Sequence, residues 1–160
     1  MTERYFHADW PLPEITAVNR AFFTTGVLTL QRCRCCARAQ HPPHEICHHC
    51  QSDKFDYVAS SGLGTVDNVT IVHHAGDRRL ADRVPYNVVI VTPDDHPELR
   101  IVGNVINADH NAITIGAPVR CVFTEVPDPD TDETLRLPQW ELRSVRQRST
   151  NRSAPATSTG

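Results

Sequence analysis

The stretch from Cys33 to Cys50 reads Cys-Arg-Cys-Cys-Ala-Arg-Ala-Gln-His-Pro-Pro-His-Glu-Ile-Cys-His-His-Cys, and it decides the fold. Cys33 pairs with Cys36 and Cys47 with Cys50, with two residues between the members of each pair and ten residues between the pairs. A C-x-x-C turn brings both sulfurs into one small volume, and two facing turns complete a tetrahedral Cys₄ set for Zn²⁺. Four thiolates fill the coordination sphere and leave no position for water, so the expected zinc is structural rather than catalytic. Cys35 could replace Cys36 only through a C-x-C spacing that forms a different turn, and it reads as an exposed bystander. His41, His44, His48 and His49 are rival ligands by proximity, but with four well-spaced cysteines present they read as solvated loop residues.

Working outward, the flanks of this stretch are short and alternating. Val27 to Arg32 reads as a strand entering the cysteine turns, and Lys54 to Val58 as the strand leaving them, with Pro42-Pro43 at the tip between. Together they make a zinc ribbon. Before it, Pro13 and Glu14 mark a helix start. Ile15, Val18 and Phe22 recur at helical spacing and Gly26 suits a C-cap, which predicts a helix over 13–24.

From Ser60 onward the pattern is all β. Strands are expected over 65–72, 86–92, 99–106, 118–126 and 135–142, with a single helical turn within 109–116. The continuous apolar run 86–92 predicts a strand buried on both faces. Gly103 inside the third of these strands predicts a bulge or sharp bend. Five strands with a bent first strand and a gap before the fourth fit a small closed OB barrel, whereas a β-sandwich needs more strands. The predicted fold is therefore mainly β. It comprises an N-terminal segment with one helix (1–26), a rubredoxin-like zinc ribbon (27–58), a five-stranded OB barrel (59–142) and a disordered basic tail (143–160).

Composition limits the function. The chain has 160 residues, enough for a real core. No apolar run approaches the roughly 18 residues of a membrane span. The N-terminus lacks a basic region followed by an apolar one, so a cytoplasmic location is expected. Five of the six cysteines fall within Cys33–Cys50, which in a reducing compartment reads as metal rather than as a disulfide scaffold. Residues 57–142 carry six basic and thirteen acidic side chains, and phosphate repulsion argues against nucleic acid on the barrel.

The order of these elements resembles the DUF35, or acyl-CoA-associated OB-fold, family. The residues that carry the resemblance begin with Phe22-Phe23 in the helix, Gly26 to Cys33, then Cys36, Pro42-Pro43, Cys47 and Cys50. They continue with Ser61 to Val66, Val84-Pro85-Tyr86, Arg100 to Asn104, Ile115 to Val119 and Leu137-Pro138, so the likeness spans about 14–142. It implies a non-catalytic companion of a thiolase-fold enzyme: a thiolase, an acyltransferase or an aldolase of steroid side-chain degradation. Such a complex acts on CoA thioesters as a hetero-oligomer, with the reacting residues on the partner. Two departures stand out. Ala37 follows the first C-x-x-C where glycine is common, and a Cβ disfavours the positive φ expected there. The second pair encloses His48-His49 where a proline is common.

Other candidates are weaker. Arg78, Arg79 and Arg83 form a cluster suited to CoA phosphates, although Asp77 and Asp82 could simply pair with them. Cys121 reads as a core thiol rather than a nucleophile. His73-His74 reads as a strand end rather than a general base. The rival function is a freestanding OB module that binds acyl-CoA, lipid or, less well, nucleic acid.

Overall fold

A computed structural model describes residues 11–128, 131 and 133–144. The first ten residues, part of the acidic turn and the tail beyond residue 144 lie outside the described residues, and with them most of the expected 143–160 tail. Two antiparallel sheets follow one short helix. The first sheet has the order β2-β1-β3, from Thr29–Cys33 (β1), Ala39–Gln40 (β2) and Phe55–Ala59 (β3). The second has the order β6-β5-β4-β7-β8, from Leu63–Val72 (β4), Tyr86–Pro93 (β5), Ile101–Gly103 (β6), Pro118–Pro127 (β7) and Thr134–Leu142 (β8). This is the ribbon followed by the five-stranded OB barrel.

The helix is shorter than its periodicity predicts: α1 spans Arg20–Thr24. Upstream, the Thr16 amide donates to Asn19 Oδ1 at 2.8 Å, and the Asn19 amide returns a bond to Thr16 Oγ1 at 3.4 Å. These local side-chain bonds compete with helical ones and hold 16–19 as a turn. Phe22 is buried against Phe23, edge to face, at a centroid distance of 5.0 Å. Gly26 takes φ +70° just past the helix, the left-handed stop that glycine tolerates.

The long β4 builds the barrel. Residues 63–65 pair with β7, Leu63 to Arg120 and Thr65 to Pro118, and residues 64–72 pair with β5, so Gly64 and Thr65 are paired on both sides. A register shift between Val66 and Asn68 bends the strand so that it serves both neighbours. Closure comes from β8. The Trp140 amide donates to Asn104 O at 2.9 Å, Ile106 N–H donates to Trp140 O at 2.8 Å, and Val105 bridges Trp140 in parallel. This switch of partner explains why β6 stops at Gly103 although the apolar pattern runs to residue 106. Gly103 marks a close approach rather than a bend, since a Cβ there would lie 2.9 Å from Trp140 Cδ1 and Nε1. The expected burial of β5 on both faces also gives way to alternation: Asn87, Val89, Val91 and Pro93 are buried, and the residues between them are half-buried. The β5 side chains of the second face lie on the outside of the barrel, where no second layer covers them fully.

Ribbon and barrel share one core. Phe22, Leu28, Leu30 and Ala39 belong to the same buried cluster as Val66, Val89, Val91, Ile101, Val105, Val119 and Trp140. Full burial of each large aliphatic side chain contributes about 1.5–3 kcal/mol. The junction is also pinned by polar contacts. Ser60 N–H donates to Leu28 O, and the Asp95 carboxylate accepts from Ser60 Oγ at 2.8 Å and from the Ser61 amide at 2.7 Å. These bonds hold the Asp95 carboxyl below its usual range against the opposing pull of burial.

Candidate metal centre

The two cysteine turns are built alike. In the first, Ala37 N–H donates to Cys33 O at 2.9 Å and Cys33 N–H donates to Arg38 O at 2.9 Å. In the second, Gln51 N–H donates to Cys47 O at 2.9 Å and Cys47 N–H donates to Ser52 O at 2.8 Å. The residue after each pair takes a left-handed conformation, Ala37 at φ 59° and Gln51 at φ 61°. The sequence singles out Ala37 alone. Gln51 holds the equivalent place, and its position after the second C-x-x-C is the signal that identifies it.

The turns bring Cys33, Cys36, Cys47 and Cys50 together, with all four sulfurs within 4.8 Å of one another. Cys33 Sγ lies 3.5 Å from Cys50 Sγ, and Cys36 Sγ lies 3.7 Å from Cys47 Sγ. A tetrahedron with Zn–S bonds of about 2.3 Å has edges of about 3.8 Å, so the four sulfurs suit zinc. Among the described residues this is the one cluster of its kind. Backbone amides prepare it. The Cys36 amide, aided by that of Cys35, draws the Cys33 thiol down to about 6 against the opposing effect of burial. The Ser52 amide favours the Cys50 thiolate, but Cys33, burial and the other two sulfurs together push that thiol up to about 12. Crowded thiols hold protons that a divalent cation displaces on binding.

A buried amide network holds the loop between the turns. Gln31 and Gln40 are 1% and 3% exposed. Gln40 Nε2 donates to Gln31 Oε1 at 2.6 Å, and Gln31 Oε1 also accepts from the His44 amide at 2.9 Å. Gln31 Nε2 donates to His44 O at 2.8 Å, and Gln40 Oε1 accepts from the His48 amide at 3.1 Å. Each amide thus replaces strand bonds that the irregular loop cannot make for itself. His41 packs on Phe22 at a centroid distance of 4.9 Å, and burial lowers its pKa to about 4.

The remaining candidates lie elsewhere. Cys35 is exposed, with its sulfur 3.2 Å from Ser52 Oγ. Arg78, Arg79 and Arg83 sit on one 3-10 segment, Arg78–Arg83. Arg79 Nη2 meets Asp77 Oδ2 at 2.6 Å, and Asp77 Oδ1 caps the segment by accepting from the Arg79 amide. Burial pushes the Cys121 thiol up to about 12, the wrong direction for a nucleophile. His73 and His74 are exposed beyond the end of β4.

Family models place this geometry. The rubredoxin-like zinc ribbon domain of ChsH2 matches residues 23–56, and the C-terminal OB-fold domain of ChsH2 matches residues 57–124. A solved structure titled Ltp2-ChsH2(DUF35) aldolase matches with a TM-score of 0.67 and 30% identity, covering 82% of this chain and 98% of that one. The chain belongs to the ChsH2-type DUF35 family. Among curated members, a probable enoyl-CoA hydratase alpha subunit of Thermomonospora curvata is 33% identical over 132 residues, 81% of this chain and 40% of the relative. A DUF35 domain-containing scaffold protein of Methanothermobacter thermautotrophicus is 27% identical over 109 residues, 68% of this chain and 80% of that protein. The chain therefore spans about two-fifths of the length of the hydratase subunit. No helix among the described residues is long and apolar enough to cross a membrane.

Proposed function

We propose that the chain is a non-catalytic zinc-ribbon and OB-fold subunit that assembles with a thiolase-fold enzyme acting on CoA thioesters. The partner is of the thiolase, acyltransferase or steroid side-chain aldolase type. The observation that carries this reading is the match along nearly the whole length of the chain in the ChsH2(DUF35) aldolase structure, 98% of it. The names of the relatives, a hydratase alpha subunit and a scaffold protein, support a role inside a larger assembly. The chemistry of the site agrees. Cys33, Cys36, Cys47 and Cys50 would hold a structural Zn²⁺, and a closed thiolate set offers a substrate no open position. The chain supplies shape: the ribbon (27–58) is fixed beside the barrel (59–142) by the shared core. Free thiols clustered at the ribbon suit the reducing cytoplasm.

Arg78, Arg79 and Arg83 are the residues we assign to the CoA phosphates. Guanidinium groups on one exposed segment suit that chemistry, even with Arg79 already turned toward Asp77. Co-expression with a thiolase-fold enzyme tests the subunit reading: a stable complex of defined stoichiometry is expected. A stable monomer that captures no such enzyme would sink it. Within the complex, replacing Arg78 and Arg79 by alanine is expected to raise the Michaelis constant for acyl-CoA. An unchanged constant removes the phosphate assignment and leaves the subunit reading standing.

A further inference from the structure

The four residues of the metal centre are not equally reachable. Cys33, the last residue of β1, and Cys47 are each 1% exposed. Cys36 is half-buried, and Cys50 is exposed. A small reagent in solution therefore meets Cys50 before the other three, and access governs where a cysteine set is attacked. The short sulfur–sulfur distances run across the two turns. Cys50 Sγ lies 3.5 Å from Cys33 Sγ, and Cys36 Sγ lies 3.7 Å from Cys47 Sγ. The exposed ligand thus stands against a buried one from the other turn, and a short approach from 3.5 Å to about 2.0 Å makes a disulfide. Cys35 serves as an internal control. It is exposed in the same ribbon, its sulfur is 3.2 Å from Ser52 Oγ, and it lies outside the four-sulfur set.

We infer that Cys50 is where an oxidant of the hydroperoxide class enters the centre, and that oxidation there closes a Cys33–Cys50 disulfide and opens the metal set. With hydrogen peroxide, the Cys50 thiolate attacks one oxygen. The O–O bond breaks, an S–O bond forms, hydroxide leaves, and the sulfur is oxidised by two electrons to a sulfenic acid. The Cys33 thiolate then attacks the Cys50 sulfur. The S–S bond forms, the S–O bond breaks and a second hydroxide leaves. Two thiolates and one peroxide become one disulfide and two hydroxides. Cys36 and Cys47 remain, and two thiolates do not close a tetrahedral set. The ribbon then loses the cross-link that organises it, and a thiol reductant restores the ligands. The inference rests on the zinc centre and not on the subunit reading.

Treatment of the zinc-loaded full chain with hydrogen peroxide tests it. A metallochromic indicator follows zinc release, and peptide mapping without reduction identifies the linkage. Zinc release, Cys33–Cys50 as the first disulfide, and recovered zinc binding after a thiol reductant and fresh zinc are expected. Cys35→Ser is expected to release zinc at the wild-type rate. Cys50→His keeps a Cys₃His set, and it is expected to release zinc to peroxide about tenfold more slowly or less. If that variant binds no zinc, the wild-type linkage and Cys35→Ser decide. Zinc retained while peroxide oxidises Cys35 overturns the inference. A first linkage that joins Cys47 to Cys50, or that includes Cys35, also overturns it. So does slower release from Cys35→Ser, wild-type release from zinc-loaded Cys50→His, or zinc binding that a thiol reductant does not restore.

Discussion

The ribbon and the barrel solve the same problem by different means. The barrel closes a hydrogen-bonded ladder around Val89, Val91, Val119 and Trp140, all 1% exposed or less, and its stability is distributed over that core. The cysteine turns have no such core. Apart from Leu28, Leu30 and Ala39 at the base, which lean on the barrel, the ribbon is organised by four sulfurs and two buried glutamines. Polar side chains in a small volume become stable only when every partner is present. The ribbon is therefore switchable as a unit, whereas the barrel is graded.

Cys47→Ser has the largest expected effect. Structural zinc in small modules contributes apparent binding energies of about 10–16 kcal/mol, all of it coupled to folding. Loss of one thiolate is expected to abolish zinc retention and amide protection across residues 33–54, while β4 to β8 stay protected. Metal analysis and hydrogen exchange read both at once. If the barrel melts with the ribbon, the two regions are not separable as described. Trp140→Ala acts on the other side of the contrast. Removing a buried tryptophan costs about 3–5 kcal/mol, and here it also empties the space beneath Gly103. Denaturant unfolding is expected to show that loss with zinc still bound; zinc release at the same denaturant concentration would show that the ribbon has no stability of its own.

The third prediction concerns His41, which the fold keeps neutral with its pKa lowered to about 4. An unfolded histidine protonates near 6.5, so as pH falls below that value the unfolded chain takes up the proton first. Stability contributed by the neutral ring is fully present above about 6.5 and declines by about 1.4 kcal/mol per pH unit until the folded ring titrates near 4. His41→Leu removes this slope. Chemical unfolding of both proteins between pH 7 and 5 compares them; equal slopes would mean that His41 is hydrated rather than buried. The smallest effect is at Ala37. Its Cβ sits at φ 59°, and Ala37→Gly is expected to stabilise the first turn by about 0.5–1 kcal/mol, seen as slower zinc release to a chelator.

The sequence shows the ribbon clearly because coordination geometry dictates spacing. Cys33, Cys36, Cys47 and Cys50 must fall as they do whatever surrounds them. The barrel strands are legible for a related reason, since β4, β5, β7 and β8 are apolar-rich runs bounded by turn residues, although the alternating burial of β5 is not visible in its continuous apolar run. Three features are not legible. Gln31 occupies what reads as the polar face of an alternating strand, yet Thr29, Leu30 and Gln31 are all buried because the loop with His44 folds back over that face. The early end of β6 depends on Trp140, 37 residues beyond Gly103, and no local pattern announces it. His96 and Glu98 come to line one cleft with Arg38 and His49 only after the two sheets pack together. The truncated helix belongs to a different class. Ile15 and Val18 keep helical spacing, but the mutual bonds of Thr16 and Asn19 hold that stretch as a turn and the helix begins only at Arg20.

The central claim is that the chain contributes structure, through zinc, to chemistry performed by a partner. The most direct test of the proposed subunit role measures acyl-CoA turnover by a candidate thiolase-fold enzyme alone, by this chain alone and by the two combined, with wild-type protein and Cys47→Ser. Turnover that requires the complex, is absent from the isolated chain, and disappears in Cys47→Ser together with zinc and assembly is the predicted result. A Cys47→Ser complex that keeps its zinc and its stoichiometry yet loses turnover would contradict the claim and make the metal centre part of the reaction.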